Sequence, residues 1–269
     1  MYKIFSLIIF IFLLGCGSEN SKKIEKIEKI GTIVSIKEAS GICYVAKTDT
    51  LFVVGDNGFV YEIDKNGLEL NKKDFRWRKN NDFEGITYDD QRDLLYIAIE
   101  GVDNILVLNR TLDYLREVNI KRQDSDGRDI LANGGEGLEG ISIYNGQVYA
   151  SNQSFVKLIA SESDPSVLIK LDSVTSNKAS IEEVIDIGYI NISGMTFYNN
   201  LLYLVSDTDD LLIKYDIISD KVLDEQPIKE INKVLVDVSL EGVAFDNDRY
   251  IYFAIDDKNE GKIVKYKFF

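Results

Sequence analysis

The heptapeptide DFEGITY, Asp82 to Tyr88, is one of five versions of a single phrase. The others are EASGICY (Glu38 to Tyr44), GLEGISI (Gly137 to Ile143), NISGMTF (Asn191 to Phe197) and SLEGVAF (Ser239 to Phe245). Their central glycines are Gly41, Gly85, Gly140, Gly194 and Gly242. They recur about every 44 to 55 residues, the period of a β-propeller blade. After each phrase come a polar turn, an apolar run, an acidic or amide residue and a second apolar run.

Outward from the phrase, second strands are read at 51–54, 94–99, 147–150, 201–205 and 250–255. Third strands follow at 59–63, 104–108, 167–171, 211–215 and 262–266, and outer fourth strands at Leu68 to Leu70, Leu115 to Ile120, Ile181 to Ile187 and Val222 to Ile228. These runs are rich in Val, Ile, Leu and Tyr, which suit a half-buried pleated surface. The whole chain has two prolines to interrupt them. Asn145-Gly146, between two apolar runs, is a two-residue hairpin signature. The last repeat ends after three strands, and Ile30 to Ile36 can supply its fourth from the other end of the chain. That closure leaves no open edge at the seam. The expected fold is therefore all-β: a single β-propeller over residues 28–269, with five four-stranded blades closed by an N-terminal strand. Six blades is the alternative, if Ser161 to Ile190 hides a further hairpin. A linear array of separate β modules fits the regular period less well.

The first fifteen residues read as a targeting segment: Met1-Tyr2-Lys3, then the apolar Ile4 to Leu14. That run is short of the roughly 20 residues a membrane span needs. Leu13-Leu14-Gly15-Cys16 resembles the lipobox of bacterial lipoproteins, in which the cysteine after the cleavage point is lipidated. An uncleaved anchor or a core strand is the other reading. Residues 16–27 form a polar tether, whose KIEKIEKI run (Lys23 to Ile30) could make a helical turn or two. This places the domain in the bacterial cell envelope, anchored to a membrane at Cys16 and facing outside the cytoplasm. Cys43 is the other cysteine, so no intramolecular disulfide is expected; in an apolar strand it is a small buried hydrophobe.

Charge and composition exclude several classes. The net charge is −14, which disfavours nucleic acid and anionic lipid surfaces and suits cations or a solubilising surface equally. There is no histidine, so a Ser-His-Asp triad, a Cys-His pair and histidine zinc ligation are absent.

The repeat also aligns candidate ligands. The start of a first strand and the end of the second lie at one mouth of the ring. At the start stand Ser40, Glu84, Glu139, Ser193 and Glu241; at the return end stand Asp56, Glu100, Asn152, Asp207 and Asp256. Glu38, Asp82, Glu136, Asp209 and Asp257 are near. A ring of carboxylates repels itself unless something compensates it. A hard cation taking six to eight oxygens, calcium above all, fits such a mouth better than zinc. The expected metal ligands are Glu84, Glu139, Glu241, Asp56, Glu100, Asp207 and Asp256. The competing reading is structural: glycine for close backbone approach, and the glutamates paired with Arg76, Arg78 or Arg128.

Two other features carry less. QDSDGRD (Asp124, Asp126 and Asp129 around Gly127) departs from an EF-hand, with Arg128 at the fifth position and Gly135 at the twelfth, and reads as a solvated turn. Trp77, flanked by Arg76 and Arg78, could stack on a ligand or pack on a blade.

In this order, EASGI, DFEGITY, NGGEGLEGI, ISGMTF and SLEGVAF resemble the SdiA-regulated family of bacterial propeller proteins, from about Ile36 to Phe269. The serines at Ser40 and Ser193 fall in the repeats where that family tends to carry them. The resemblance implies an NHL-like propeller, often exported or membrane-anchored, with calcium at the acidic mouth. It points to Glu84, Glu139 and Glu241 first; Asn152 and Gln153 depart from its charged pattern. It implies no reaction. The expected function is a calcium-binding module in the envelope: a monomer, with a small-molecule or protein ligand at the mouth and no nucleic acid. The alternative is a calcium-dependent hydrolase of phosphoesters or lactones, with Arg76, Arg78, Lys79, Lys121, Arg122 and Arg128 available to hold phosphate. A purely structural scaffold is the third possibility.

Overall fold

A computed structural model describes residues 23–24, 26–131, 137–158, 163–228, 238–257 and 260–269. The targeting segment, Cys16, Glu136 and most of NGGEG lie outside the described residues. Among those described, every regular element is a strand, and no helix is long and apolar enough to cross a membrane.

Each repeated phrase opens or forms a first strand: β2 (Ala39–Val45), β6 (Phe83–Asp89), β10 (Gly137–Tyr144), β14 (Ile192–Tyr198) and β18 (Val238–Phe245). The second strands are β3 (Thr50–Gly55), β7 (Leu94–Ile99), β11 (Gln147–Gln153), β15 (Leu201–Ser206) and β19 (Tyr250–Asp257). The third are β4 (Phe59–Asp64), β8 (Asn104–Asn109), β12 (Val167–Leu171), β16 (Leu211–Asp216) and β20 (Lys262–Phe268). The outer ones are β5 (Glu69–Asp74), β9 (Tyr114–Lys121), β13 (Lys178–Ile185), β17 (Lys221–Pro227) and, from the start of the chain, β1 (Ile27–Ser35). Within each group neighbours pair antiparallel in this order. β1 closes the last group on β20, from Ile27 opposite Phe268 to Ser35 opposite Lys262. β13 and β9 pair in parallel, joining two groups into one eight-stranded sheet.

The burial gradient explains why inner strands are legible in sequence and outer ones are less so. β3 and β15 are buried along their whole length, and their sequences TLFVVG and LLYLVS are nearly continuous apolar runs. β5, ELNKKD, is exposed at every position. It therefore forms at Glu69–Asp74, where the apolar pattern marks only Leu68 to Leu70. β13 starts at Lys178, ahead of Ile181, because Lys178 to Ser180 pair with Asn119 to Lys121 of β9. The KIEKIEKI run is strand from Ile27 on, in place of a helical turn. Beyond Ser161 the described residues up to Ile190 hold β12 and β13 and no extra hairpin.

Turns follow the chemistry read from sequence. Asn145 (φ 51°) and Gly146 (φ 79°) both take positive φ, as a type I′ hairpin demands. Successive sheets pack face to face. Phe52, Val54, Val60 and Phe75 of one group meet Phe83 and Ile97 of the next, and Cys43 lies in the same cluster. Each such fully buried side chain contributes about 1.5–3 kcal/mol. Burial also pushes the Cys43 thiol well above the ordinary range for a thiol.

The five first strands touch in a cycle: β2 to β6, β6 to β10, β10 to β14, β14 to β18, and β18 back to β2. This cyclic, propeller-like arrangement puts the phrases around one axis.

Candidate functional site

Every first strand breaks its ladder register at the same place. The irregularities fall between Ala39 and Ile42, Phe83 and Ile86, Leu138 and Ile141, Ile192 and Gly194, and Leu240 and Gly242. The repeat glycine and the Ser or Glu before it thus sit at a β-bulge, a device that bends the strand and re-aims a side chain. The glycines are needed for approach. A Cβ on Gly41 would lie 2.2 Å from the Glu84 carbonyl oxygen, and one on Gly85 would lie 2.4 Å from that of Glu139. Likewise Gly194 meets the Glu241 carbonyl and Gly242 that of Ser40, so backbone packs on backbone around the axis.

Just beyond the glycines, Ile42, Ile86, Ile141, Met195 and Val243 line the axis. The gap there is about 10 Å³, at the limit for a single water. This narrow apolar layer stands between the two ends of the axis.

One end is the acidic mouth. The ladder pairs Ala39 with Gly55 and Phe83 with Ile99, so phrase starts and second-strand ends lie together, as the repeat predicts. Backbone bonds fix the corner: Asp56 N–H donates to the Glu38 carbonyl (3.2 Å), Glu100 N–H to Asp82 (3.0 Å) and Asp207 N–H to Asn191 (3.2 Å). Carboxylate oxygens of Asp56, Asp82 and Glu84 lie within 4.8 Å of one another, close enough to share one ion. Ser40 donates its hydroxyl to Asp56. Glu139 lies beside Glu84, and Glu100 beside Asp82. Carboxyls crowded in this way favour keeping a proton over all ionising together.

The electrostatics follow. Glu84 and Glu139 are 8% and 4% exposed, and Glu241 is partly buried. Burial pushes all three carboxyls well above the ordinary range, and their mutual charges and that of Asp56 push the same way. Asp56 is pushed up to about 6, by burial first and then by Asp82 and Asp256. Asp82 and Asp207 are also raised by burial. None of the described ion pairs reaches Asp56, Asp82, Glu84, Glu139, Asp207 or Glu241.

The structure thus places the seven expected ligands around one mouth but draws only Asp56 and Glu84 into the tight cluster. Asp82, which the sequence marks only as a neighbour, completes it. Glu139 sits beside Glu84, Glu100 beside Asp82, and Asp256 within the field of Asp56 and Glu241. Asp207 is spent on structure, accepting from the Leu240 N–H (3.1 Å) and the Asn191 amide (3.3 Å). In the third repeat Asn152 bonds Asp164 and the Pro165 carbonyl. The buried oxygens Asn152 Oδ1 and Asn191 Oδ1 have no hydrogen-bond partner among the described residues.

The arginines expected to neutralise the glutamates do something else. Arg76 pairs with Asp74, Arg78 with Glu117 and Arg128 with Asp124. Asp124 also accepts the N–H groups of Asp126 and Arg128, so QDSDGRD is a self-capped turn. Trp77 is 68% exposed and meets Tyr114 edge-on, 6.5 Å between centroids.

The fold and site define an all-β, propeller-like protein with one acidic mouth. The chain belongs to the SdiA-regulated family, which its sequence matches over residues 21–259. No curated protein matches it in sequence. Among solved structures, the glutaminyl cyclase of Myxococcus xanthus is similar with a TM-score of 0.63 and 11% identity, covering 91% of this chain and 96% of that one. The PQQ-bound aldose sugar dehydrogenase from Streptomyces coelicolor gives 0.51 and 10%, covering 90% and 98%. At such identities the likeness is one of fold, which does not carry chemistry with it.

Proposed function

We propose that this protein is a five-bladed propeller lipoprotein, held at a membrane through Cys16, whose acidic mouth binds calcium and serves as a binding module in the cell envelope. The carrying observation is the convergence of Asp56, Asp82 and Glu84 oxygens within 4.8 Å. Carboxylates crowded in this way, with Glu84 buried and Asp56 and Asp82 partly open to solvent, are stabilised by protons or by a cation. The donor set is all oxygen, with no histidine in the chain and its described cysteine buried away from the mouth, which favours a hard ion over zinc. Glu139, Glu100, Asp256 and Glu241 would supply the surrounding negative field. Bound calcium would neutralise the mouth and offer an oxygen-bearing ligand a place to coordinate. The cyclic contacts of the five first strands support the blade count. The hydrolase reading has less support: of the six cations named for holding phosphate, Arg76, Arg78, Arg122 and Arg128 are each committed to a carboxylate.

Full-length protein stripped with a chelator tests this. At a calcium concentration of about one hundred times Kd, binding should add about 2.7 kcal/mol. For a chain of this size that raises the melting temperature by about 5–10 °C. Asp82→Asn should shrink the shift. No calcium binding and no shift would overturn the metal reading. Retention of Cys16→Ser in the membrane fraction would overturn the anchor.

A further inference from the structure

The end of the axis opposite the acidic mouth holds a second cavity, of about 300 Å³. It is built from the last residues of the same repeated phrase, below the apolar layer. Tyr44, Tyr88, Phe197, Tyr198 and Phe245 give it aromatic walls. Thr87, Ser142 and Thr196, one strand position nearer that layer, give it hydroxyls, and Asn199 and Asn247 bring amides from the hairpin turns. Among the described residues lining it none is charged.

The walls are fixed in place. Tyr144 stacks on Phe197 (4.6 Å, 16°) and Tyr198 on Phe245 (4.7 Å, 16°), each pair bridging neighbouring repeats. Tyr44 donates its phenol to Asp49 (2.7 Å) and Tyr88 to Asp93 (2.6 Å). Those carboxylates are themselves paired outside the cup, Asp49 with Lys65, which also holds Asp248, and Asp93 with Lys47 and Arg110. The polar groups, in contrast, are available. Among the described residues the side chains of Thr87, Thr196, Asn199 and Asn247 have no hydrogen-bond partner. Ser142 Oγ accepts the Phe197 N–H (3.1 Å), leaving its own hydrogen to donate.

This lining selects a ligand class. A cation or anion entering it would shed water without meeting a counter-charge. A purely aromatic ligand would leave the hydroxyls and amides unsatisfied. A compact ring with an apolar C–H face and a rim of neutral donors and acceptors satisfies both halves. The volume is at the small end of the range for small-molecule sites. We propose that this cup is a binding site for a neutral pyranoside, independent of the calcium mouth because the narrow apolar layer stands between them.

The test is saturation-transfer NMR on the full-length protein. The probes are methyl β-D-glucopyranoside, methyl β-D-galactopyranoside and N-acetylglucosamine, with indole and tetramethylammonium chloride as contrasts. The expected result is saturable binding of at least one pyranoside, with Kd on the order of 1 mM. Asn247→Ala, an exposed turn change, and Thr87→Val should each weaken it about fivefold. Glu84→Gln, at the other end, should leave it unchanged, and melting curves should show each variant folded. Saturable binding of no pyranoside would overturn the proposal, as would binding indifferent to both cup variants. Uptake of indole or tetramethylammonium that pyranosides fail to displace would overturn it too.

Discussion

The two ends of the axis are made by the same seven-residue phrase and have opposite chemistry. The residue before the glycine turns toward one end and is a glutamate in three repeats (Glu84, Glu139, Glu241) and a serine in two (Ser40, Ser193). Three residues after the glycine, the same strand delivers Tyr44, Tyr88, Phe197 and Phe245, with Ile143 in the third repeat, to the other end, among neutral hydroxyls and amides. Between them five glycines and five apolar side chains leave about 10 Å³. One end is lined by carboxylates, whereas no described residue lining the other is charged. A tandem repeat gives a ring two chemically independent faces, because successive positions along one strand map to successive layers of the axis.

The largest effect should come from breaking the layer that both ends share. Gly85→Ala puts a Cβ 2.4 Å from the Glu139 carbonyl and 2.7 Å from the Ile141 nitrogen, both backbone. It should cost about 3 kcal/mol or more in urea unfolding, and weaken both sites. Gly101→Ala, at φ 72° in open space, should cost only about 1 kcal/mol and touch neither.

Next comes pH. The raised carboxyls at the mouth bind more protons in the folded than in the unfolded state, where they titrate near pH 4. Their contribution is therefore present in acid and is lost as pH rises through about 6 for Asp56 and through the raised range of Glu84, Glu139 and Glu241. Calcium-free protein should lose at least about 2 kcal/mol between pH 5 and pH 8, read from urea midpoints. Saturating calcium should flatten the profile. A flat profile without calcium would mean that the mouth is already compensated.

Glu84→Gln sharpens the contrast further. It should weaken calcium binding about tenfold, yet raise the calcium-free melting temperature at pH 8, because it removes a buried charge facing like charges. The smallest change expected is at the other end. Tyr88→Phe loses the phenol bond to Asp93, should cost about 1 kcal/mol, and should leave calcium binding untouched.

Much of this was legible in the sequence, for physical reasons. Inner strands announce themselves because both faces are buried, as in LLYLVS of β15. The mouth was legible because the bulge recurs at one position of the phrase. Its finer grouping was not, since which carboxylates converge depends on packing between neighbouring blades. Asp82 joins Asp56 across such a boundary, while Asp207 turns to the Leu240 N–H of the next repeat. The cup left a signal that a search for charged residues passes over. The phrases end in CY, TY, SI, TF and AF, small or hydroxylated residues followed mostly by aromatic ones. The outer strand β5 gave no burial pattern to read, being exposed throughout.

The central claim is that the acidic mouth exchanges protons for a cation. It is tested most directly by titrating chelator-stripped full-length protein with calcium at pH 6 in two buffers of different ionisation enthalpy. Saturable binding should release protons, giving heats that differ between the buffers, and Asp82→Asn should diminish both binding and release. Absence of saturable binding, or binding without proton release, would contradict the account.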